Sequence, residues 1–403
     1  MRVLIADKMA PHVPEALERA GCAVTSDASL NGKSLEAALG RVDPQVLVVR
    51  STKVQAAHLG AARSLSLVIR AGAGTNTIDI AGASARGVYV SNCPGRNAIA
   101  VAELTLGHLL NLDRRISDNV AALRAHRWEK KRFGAARGLH GRTMALLGVG
   151  QIGREVSVRA RSFGIHVRGW DRALTPEIAA SLGIEYAASA LDACRGADVL
   201  SLHLALNPET RGLVGRELLE ALAPGAFVIN TSRGGVVDQD ALVQAIRTRG
   251  LRAGLDVFAE EPVGGEGSFP FAIADEEGVY GTHHIGASTD QATLAVADEV
   301  VRIVTTFQRR GTAPNCVNLS TRSVASHVLI VRHADKVGVL AGILESLRED
   351  GVNVQEMDNI IFKGGGAASA RIQVTGAPSA ACLARIEQSN TVFAASLIPL
   401  ETP

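Results

Sequence analysis

The sequence predicts an α/β fold built on parallel sheets, followed by a small α+β unit. Three observations carry this. Short β-branched runs at 3–6, 46–49 and 67–69 alternate with helical stretches such as 13–20 in the first part of the chain. A second series of strands, at 143–147, 166–170, 198–202, 226–230 and 251–257, follows with helices between them. Beyond residue 323 the order becomes strand, helix, two strands about the turn Gly364-Gly365-Gly366, helix, strand, which is the ferredoxin-like βαββαβ order.

At 403 residues the chain has room for two to four domains, and 47% hydrophobic residues supply the cores. A long Ala- and Leu-rich helix is expected at 99–123 and an amphipathic one at 290–310. The stretch 311–323 loses periodicity, holds Pro314 and reads as a linker. The net charge of +2 points to neither a nucleic acid nor a membrane partner. Cys22, Cys93, Cys194, Cys316 and Cys382 are scattered, odd in number and form no CxxC pair, which fits a reducing compartment. The N-terminal MRVLIAD reads as a first strand rather than a leader, and no apolar run reaches the roughly 20 residues that span a bilayer. A cytoplasmic protein is expected.

Gly148-x-Gly150-Gln151-Ile152-Gly153 stands where the strand 143–147 ends and a helix begins. Such a turn lets a pyrophosphate approach the backbone at a helix N-terminus, whose free N–H groups and dipole favour an anion. The next strand closes on Asp171, near the roughly 20-residue spacing at which an acidic residue meets the adenosine ribose. Asp171 favours NAD over NADP, and Arg172 follows it. The central sheet is therefore expected to be a Rossmann-type NAD-binding domain.

Three charged residues follow at the C-terminal ends of strands, the edge where open α/β sheets bind ligands: Arg233, Glu261 and His284. Oxidising a secondary alcohol by hydride transfer needs a base for the hydroxyl proton, and histidine suits this. A carboxylate beside it fixes its tautomer, and an arginine can grip a substrate carboxylate with two parallel hydrogen bonds. The adjacent His283-His284 pair suggests no metal, because strand neighbours face opposite ways and no cysteine is near.

These residues resemble the D-isomer-specific 2-hydroxyacid dehydrogenases over nearly the whole chain. The resemblance rests on the glycine motif with Asp171, on NTSRGGVVD at 230–238, GLDVFAEEP at 254–262 and HIGAST at 284–289. It implies that Arg233, Glu261 and His284 are catalytic. Glu261 is preferred to Glu260 because it directly precedes the proline, and His283 stands where the family has proline. Thr231 and Ser232 would line the cofactor, and Asp256 would meet the nicotinamide carboxamide. The fold implied is a Rossmann domain (99–284) inserted in a flavodoxin-like substrate domain (1–98 and 285–320), with an ACT-like regulatory domain at 324–403.

On the substrate side the chain is most similar to the phosphoglycerate dehydrogenases, through Arg50-Ser51-Thr52, the run Arg70 to Thr75 with Ala73 and Gly74, NCPGRN ending at Asn97, and WEKKRF with Arg132. A substrate with a carboxylate at one end and a phosphate at the other needs cations at both, here Arg233 against Arg50 and Arg70, with Arg132 from a neighbouring subunit. The resemblance of the terminal unit implies an amino-acid effector held by His333, Asp335 and Asn353, with Asp335 where the family has asparagine. A homodimer or homotetramer is expected. Two other readings stand: a dehydrogenase of hydroxypyruvate, glyoxylate or another D-2-hydroxy acid, and an NAD-sensing protein like the C-terminal-binding-protein corepressors.

Overall fold

The computed structural model describes residues 1–262, 267–269, 272–320 and 323–400. The chain forms two compact units, Met1–Asn318 and Leu319–Pro403.

The first unit holds two parallel sheets. One contains β1 (Arg2–Ile5), β2 (Ala23–Ser26), β3 (Val46–Val49), β4 (Leu67–Arg70) and β5 (Tyr89–Asn92) in the order β2-β1-β3-β4-β5, the flavodoxin-like order. Every residue of β3 is buried, as a strand covered on both faces requires. Leu4, Leu47 and Val68 pack with Leu35 and Leu39 on one face. Val3, Val48 and Ile69 pack with Leu17 and with Val300, Ile303 and Val304 on the other. The last three belong to the helix Asp290–Arg310, which returns the chain to this sheet.

The other sheet contains β6 (Thr143–Leu147), β7 (His166–Trp170), β8 (Glu185–Tyr186), β9 (Val199–Leu202), β10 (Phe227–Asn230), β11 (Arg252–Leu255) and β12 (Val279–Gly281). Its order is β12-β11-β10-β9-β6-β7-β8, a Rossmann sheet in which the winding reverses beside β6. Five of these strands were expected. The two edge strands, of two and three residues, are too short to show a period.

The long helix expected at 99–123 is broken. It runs as Ala98–Arg114 and Ile116–Arg124, with Arg115 between them in the left-handed region at φ +51°. The stretch 311–318 is also no slack linker. Val317 N–H donates to Val90 C=O at 2.8 Å, and Asn318 Nδ2 donates to Val88 C=O at 2.9 Å, so this segment is tied along β5.

The second unit is a four-stranded antiparallel sheet of β13 (His327–Ala334), β14 (Asn353–Ile361), β15 (Ala367–Thr375) and β16 (Val392–Pro399), in the order β14-β15-β13-β16. The helices Val339–Glu349 and Ala380–Glu387 supply Ile343, Leu347, Cys382 and Ile386 to its core with Leu329, Val331 and Ile372. Among the described residues no helix is long and apolar enough to cross a membrane.

Candidate active site

Parallel strands end on one edge of the sheet, and their connecting loops gather the polar residues there. β10 ends at Asn230, and the turn after it carries Arg233. Ser232 Oγ donates to Asn230 Oδ1 at 2.8 Å, while Thr231 Oγ1 lies 2.9 Å from Thr105 Oγ1 on the helix Ala98–Arg114. These hydroxyls fix the turn that presents Arg233. Burial pushes the Arg233 guanidinium below its ordinary value, and the Glu261 charge works against that.

His284 and Glu261 meet directly, with Nδ1 2.6 Å from Oε2. The other carboxylate oxygen, Oε1, accepts the Phe258 N–H at 3.1 Å. Burial raises the Glu261 carboxyl, but the bond with His284, the charges of His284 and Arg233 and the Phe258 amide together hold it below the usual range. Because an ionised carboxylate only accepts, Nδ1 must carry the proton, which leaves Nε2 free as a base. Of the two adjacent acids, Glu261 is the one that makes this bond.

His284 sits at φ +53°, a conformation that costs a non-glycine residue energy and needs support. Asp256 provides it. This aspartate is 1% exposed. Its Oδ1 accepts the Thr282 hydroxyl at 2.6 Å and the Ile285 N–H at 2.8 Å, and its Oδ2 accepts the Gly286 N–H at 2.8 Å. The backbone carbonyl of Asp256 takes the His284 N–H at 2.8 Å. Its visible work is thus to hold the loop that carries His284. Behind it, His108 Nε2 lies 3.1 Å from Thr282 Oγ1. The threonine proton is already given to Asp256, so His108 must be the donor.

On the facing sheet edge, Arg70 and Arg50 close β4 and β3. Burial lowers Arg70 from its ordinary value, and the nearby Arg233 and Arg50 charges lower it further. Three guanidiniums therefore share one neighbourhood. Arg70 Nε and Asn97 Oδ1 are both buried with no protein partner. An alanine Cβ at Gly74 would fall 2.3 Å from Arg233 Nη2, so the Ala73-Gly74 loop lies against that arginine. Asn92 Nδ2 holds the loop by donating to Ala73 C=O at 2.6 Å. Asp7 Oδ2 accepts the successive N–H groups of Arg50, Ser51 and Thr52 at 2.6, 3.1 and 3.1 Å. Asp7, Thr282 and His108 belong to none of the sequence motifs, and only the folded chain shows what they hold.

The glycine turn after β6 fits a dinucleotide. Gly148 has φ +94°, and a Cβ at Gly153 would fall 2.0 Å from the Gly148 carbonyl oxygen, so turn and helix can close only without side chains. A Cβ at Gly150 would meet nothing within 4 Å, which leaves room above the helix Gln151–Ser162. Ile152 packs on the core beneath. Gln151 reaches the other sheet's loop, where a Cβ at Gly95 would fall 1.3 Å from its Oε1. Asp171 accepts the Val149 N–H on Oδ2 and the Ala173 N–H on Oδ1, both at 2.9 Å. Its remaining lone pairs can take ribose hydroxyls.

Residues 106–286 match the family model of the D-isomer specific 2-hydroxyacid dehydrogenase NAD-binding domain. The D-3-phosphoglycerate dehydrogenase of Methanocaldococcus jannaschii is 35% identical over 322 residues, 79% of this chain and 60% of that protein. Its counterpart in Mycobacterium bovis is 38% identical over 359 residues, 88% of this chain and 66% of that protein. This chain belongs to the D-isomer-specific 2-hydroxyacid dehydrogenases. It spans about three fifths of the length of the curated relatives it matches. Among solved structures, an NAD⁺-bound 3-phosphoglycerate dehydrogenase from Entamoeba histolytica aligns with a TM-score of 0.65 at 25% identity, covering 79% of this chain and 99% of that one.

The matched domain is an NAD-binding one, and the Gly148–Gly153 turn and Asp171 are the residues of this chain that could hold the dinucleotide. Other expected residues stand apart from the catalytic cluster. Arg132 is exposed, bonded to Glu129 at 3.0 Å and stacked on Phe133, and does not join Arg50, Arg70 and Arg233 within one chain. The effector trio does not converge either. His333 is 1% exposed, with Nδ1 2.8 Å from Ala334 C=O and Nε2 3.1 Å from Asn359 Oδ1. Asp335 is exposed, in the turn beyond β13. Asn353 pairs with Thr375 while His333 pairs with Ala368, so the two lie at opposite ends of the sheet. At ~3.3 Å per residue that is about 20 Å. Sequence motifs carry no strand register, and this separation follows from register alone.

Proposed function

We propose that this chain reversibly oxidises D-3-phosphoglycerate to 3-phosphohydroxypyruvate, with NAD as the acceptor. The observation that carries the reading is the arrangement of three guanidiniums, Arg233, Arg70 and Arg50, beside the His284–Glu261 pair.

When bound, NAD supplies the hydride acceptor. Arg233 pairs with the substrate carboxylate and sets its orientation. His284 Nε2 takes the C2 hydroxyl proton, and Glu261 stabilises the imidazolium that forms. In the reverse direction His284 returns that proton. Arg70, with its unpartnered Nε, and Arg50 take the second anionic group, and Asn97 Oδ1 accepts from a substrate hydroxyl.

The chain also carries exposed apolar residues along one stretch: Ile116 at 48%, Leu123 at 55% and Trp128 at 82% exposure. Surfaces of this kind serve association. They support a homo-oligomer in which Arg132 reaches the neighbouring copy's site. Light scattering on the purified protein tests this, and a monomer at working concentration would remove it.

The deciding experiment follows NADH with 3-phosphoglycerate plus NAD, and with 3-phosphohydroxypyruvate plus NADH, each beside its unphosphorylated analogue. A kcat/KM at least a hundredfold higher for the phosphorylated pair is expected. Equal turnover of both pairs would instead make the chain a dehydrogenase of small D-2-hydroxy acids. NADH binding without turnover of any hydroxy acid would favour a nucleotide-sensing role.

A further inference from the structure

Arg172 follows Asp171 at the end of β7, and its guanidinium is paired with the carboxylate of Glu209 in the loop after β9. β7 and β9 are the two neighbours of β6. Their ends are level: Trp170 and Leu202 both stand beside Leu147, the residue just before the glycine turn. The Gly148 N–H donates to Trp170 C=O at 2.9 Å and the His203 N–H to Leu147 C=O at 2.8 Å, which fixes both chains against that turn. The Arg172–Glu209 pair therefore bridges the two strands that flank the adenosine end of the nucleotide groove.

We infer that Glu209 is a second determinant of the choice of NAD over NADP. The inference rests on the reading of Gly148–Gly153 and Asp171 as the dinucleotide site. An arginine directly after the ribose-binding acid is well placed to grip a 2′-phosphate with charge-assisted hydrogen bonds. Left free, Arg172 would oppose the selectivity that Asp171 imposes. Glu209 engages that guanidinium, so a 2′-phosphate must displace its carboxylate from Arg172 while facing that of Asp171. The other cation at the turn, Arg154, directs its Nε to the Val149 carbonyl at 3.2 Å. Both members of the pair are largely exposed, with side-chain exposures of 68% and 58%, so the effect is one of selectivity and not of folding.

The test is calorimetric titration of NADH and NADPH into the wild type, Glu209→Gln, Arg172→Gln and the double variant, at low and physiological salt. Glu209→Gln should tighten NADPH about fivefold while NADH stays within about twofold, and the gain should shrink with salt. In the Arg172→Gln background the Glu209 change should give no such gain. Unchanged NADPH affinity in Glu209→Gln overturns the inference, and so does an equal gain with and without Arg172. A wild type that binds NADH normally confines such a failure to Glu209. A wild type that binds neither nucleotide overturns the dinucleotide site itself and the inference with it.

Discussion

His284 Nδ1 lies 2.6 Å from Glu261 Oε2, and this contact joins the segments that leave the neighbouring strands β12 and β11. Glu261 is held below the ordinary carboxylate range, so its favourable effect is present above the unfolded carboxyl pKa and is lost as pH falls through the depressed folded value. It is ionised throughout the neutral range. Glu261→Gln should keep the fold, lower kcat by roughly 10- to 100-fold, as loss of an orienting partner does, and move the acid limb of kcat/KM for oxidation to lower pH. The pH–rate profile checks this. An unmoved acid limb would detach Glu261 from the base.

Arg70 is half-buried beside two like charges, an arrangement that stabilises nothing until an anion arrives. Arg70→Met should therefore leave thermal stability unchanged or raise it. A charge-assisted hydrogen bond contributes ~1.5–3 kcal/mol. Loss of one should cut kcat/KM for the phosphorylated acid by roughly 10- to 100-fold and leave the unphosphorylated analogue nearly untouched. Steady-state kinetics on both acids, with a melting curve for each variant, separates a substrate role from a structural one.

Much of this site is legible in the sequence because its parts are local. The glycine turn, Asp171, Arg233 and Glu261 each follow a strand whose apolar run marks where the sheet edge must lie, while His284 is legible from the local motif HIGAST and not from the short strand before it. What depends on register or on long-range pairing is not legible. Asp7 gathers three N–H groups from 43 to 45 residues away. The break at Arg115 needs a left-handed residue that no glycine announces. The separation of His333 from Asn353 is set by how β14 and β13 pair with β15. The tie of 315–318 to β5 likewise hides in a stretch without periodicity.

Glu299 shows how strongly such hidden pairing can act. Its side chain is 2% exposed and accepts from Arg96 at 2.6 Å, from Arg302 at 2.6 and 3.0 Å and from Asn315 at 2.7 Å. The Arg302 bond above all, with those from Asn315 and Arg96, outweighs burial and pulls the carboxyl to about 2 from an ordinary 4.5. Because the folded value is depressed, its contribution is complete above about pH 4.5 and is lost as pH falls toward 2. Both arginines are half exposed, so solvent weakens the pairs, and about 2 kcal/mol is a reasonable share. Urea unfolding at pH 7 and pH 3 should show Glu299→Gln destabilised by about that amount at pH 7 and closer to the wild type at pH 3.

Gly234 tests whether the Arg233 and Glu261 loops must touch for catalysis. It directly follows Arg233, and an alanine Cβ there would fall 1.9 Å from the Phe258 carbonyl oxygen and 2.5 Å from the Ala259 nitrogen. Both contacts are backbone, so no side chain can rotate away, and one loop must move. Phe258 is also the residue whose N–H holds Glu261 Oε1, so the displacement passes directly to the partner of His284. Gly234→Ala should therefore lower kcat/KM at least a hundredfold, the scale that a shift of about 1 Å in catalytic geometry produces. NADH affinity should change little, because the Gly148–Gly153 turn and Asp171 lie beyond β9 and β10 from this contact. Single-turnover kinetics beside a nucleotide titration distinguishes the two effects. Near-normal turnover in Gly234→Ala would show that the loops can separate without loss of function. Turnover and NADH affinity falling together would point to a collapse of the whole sheet edge.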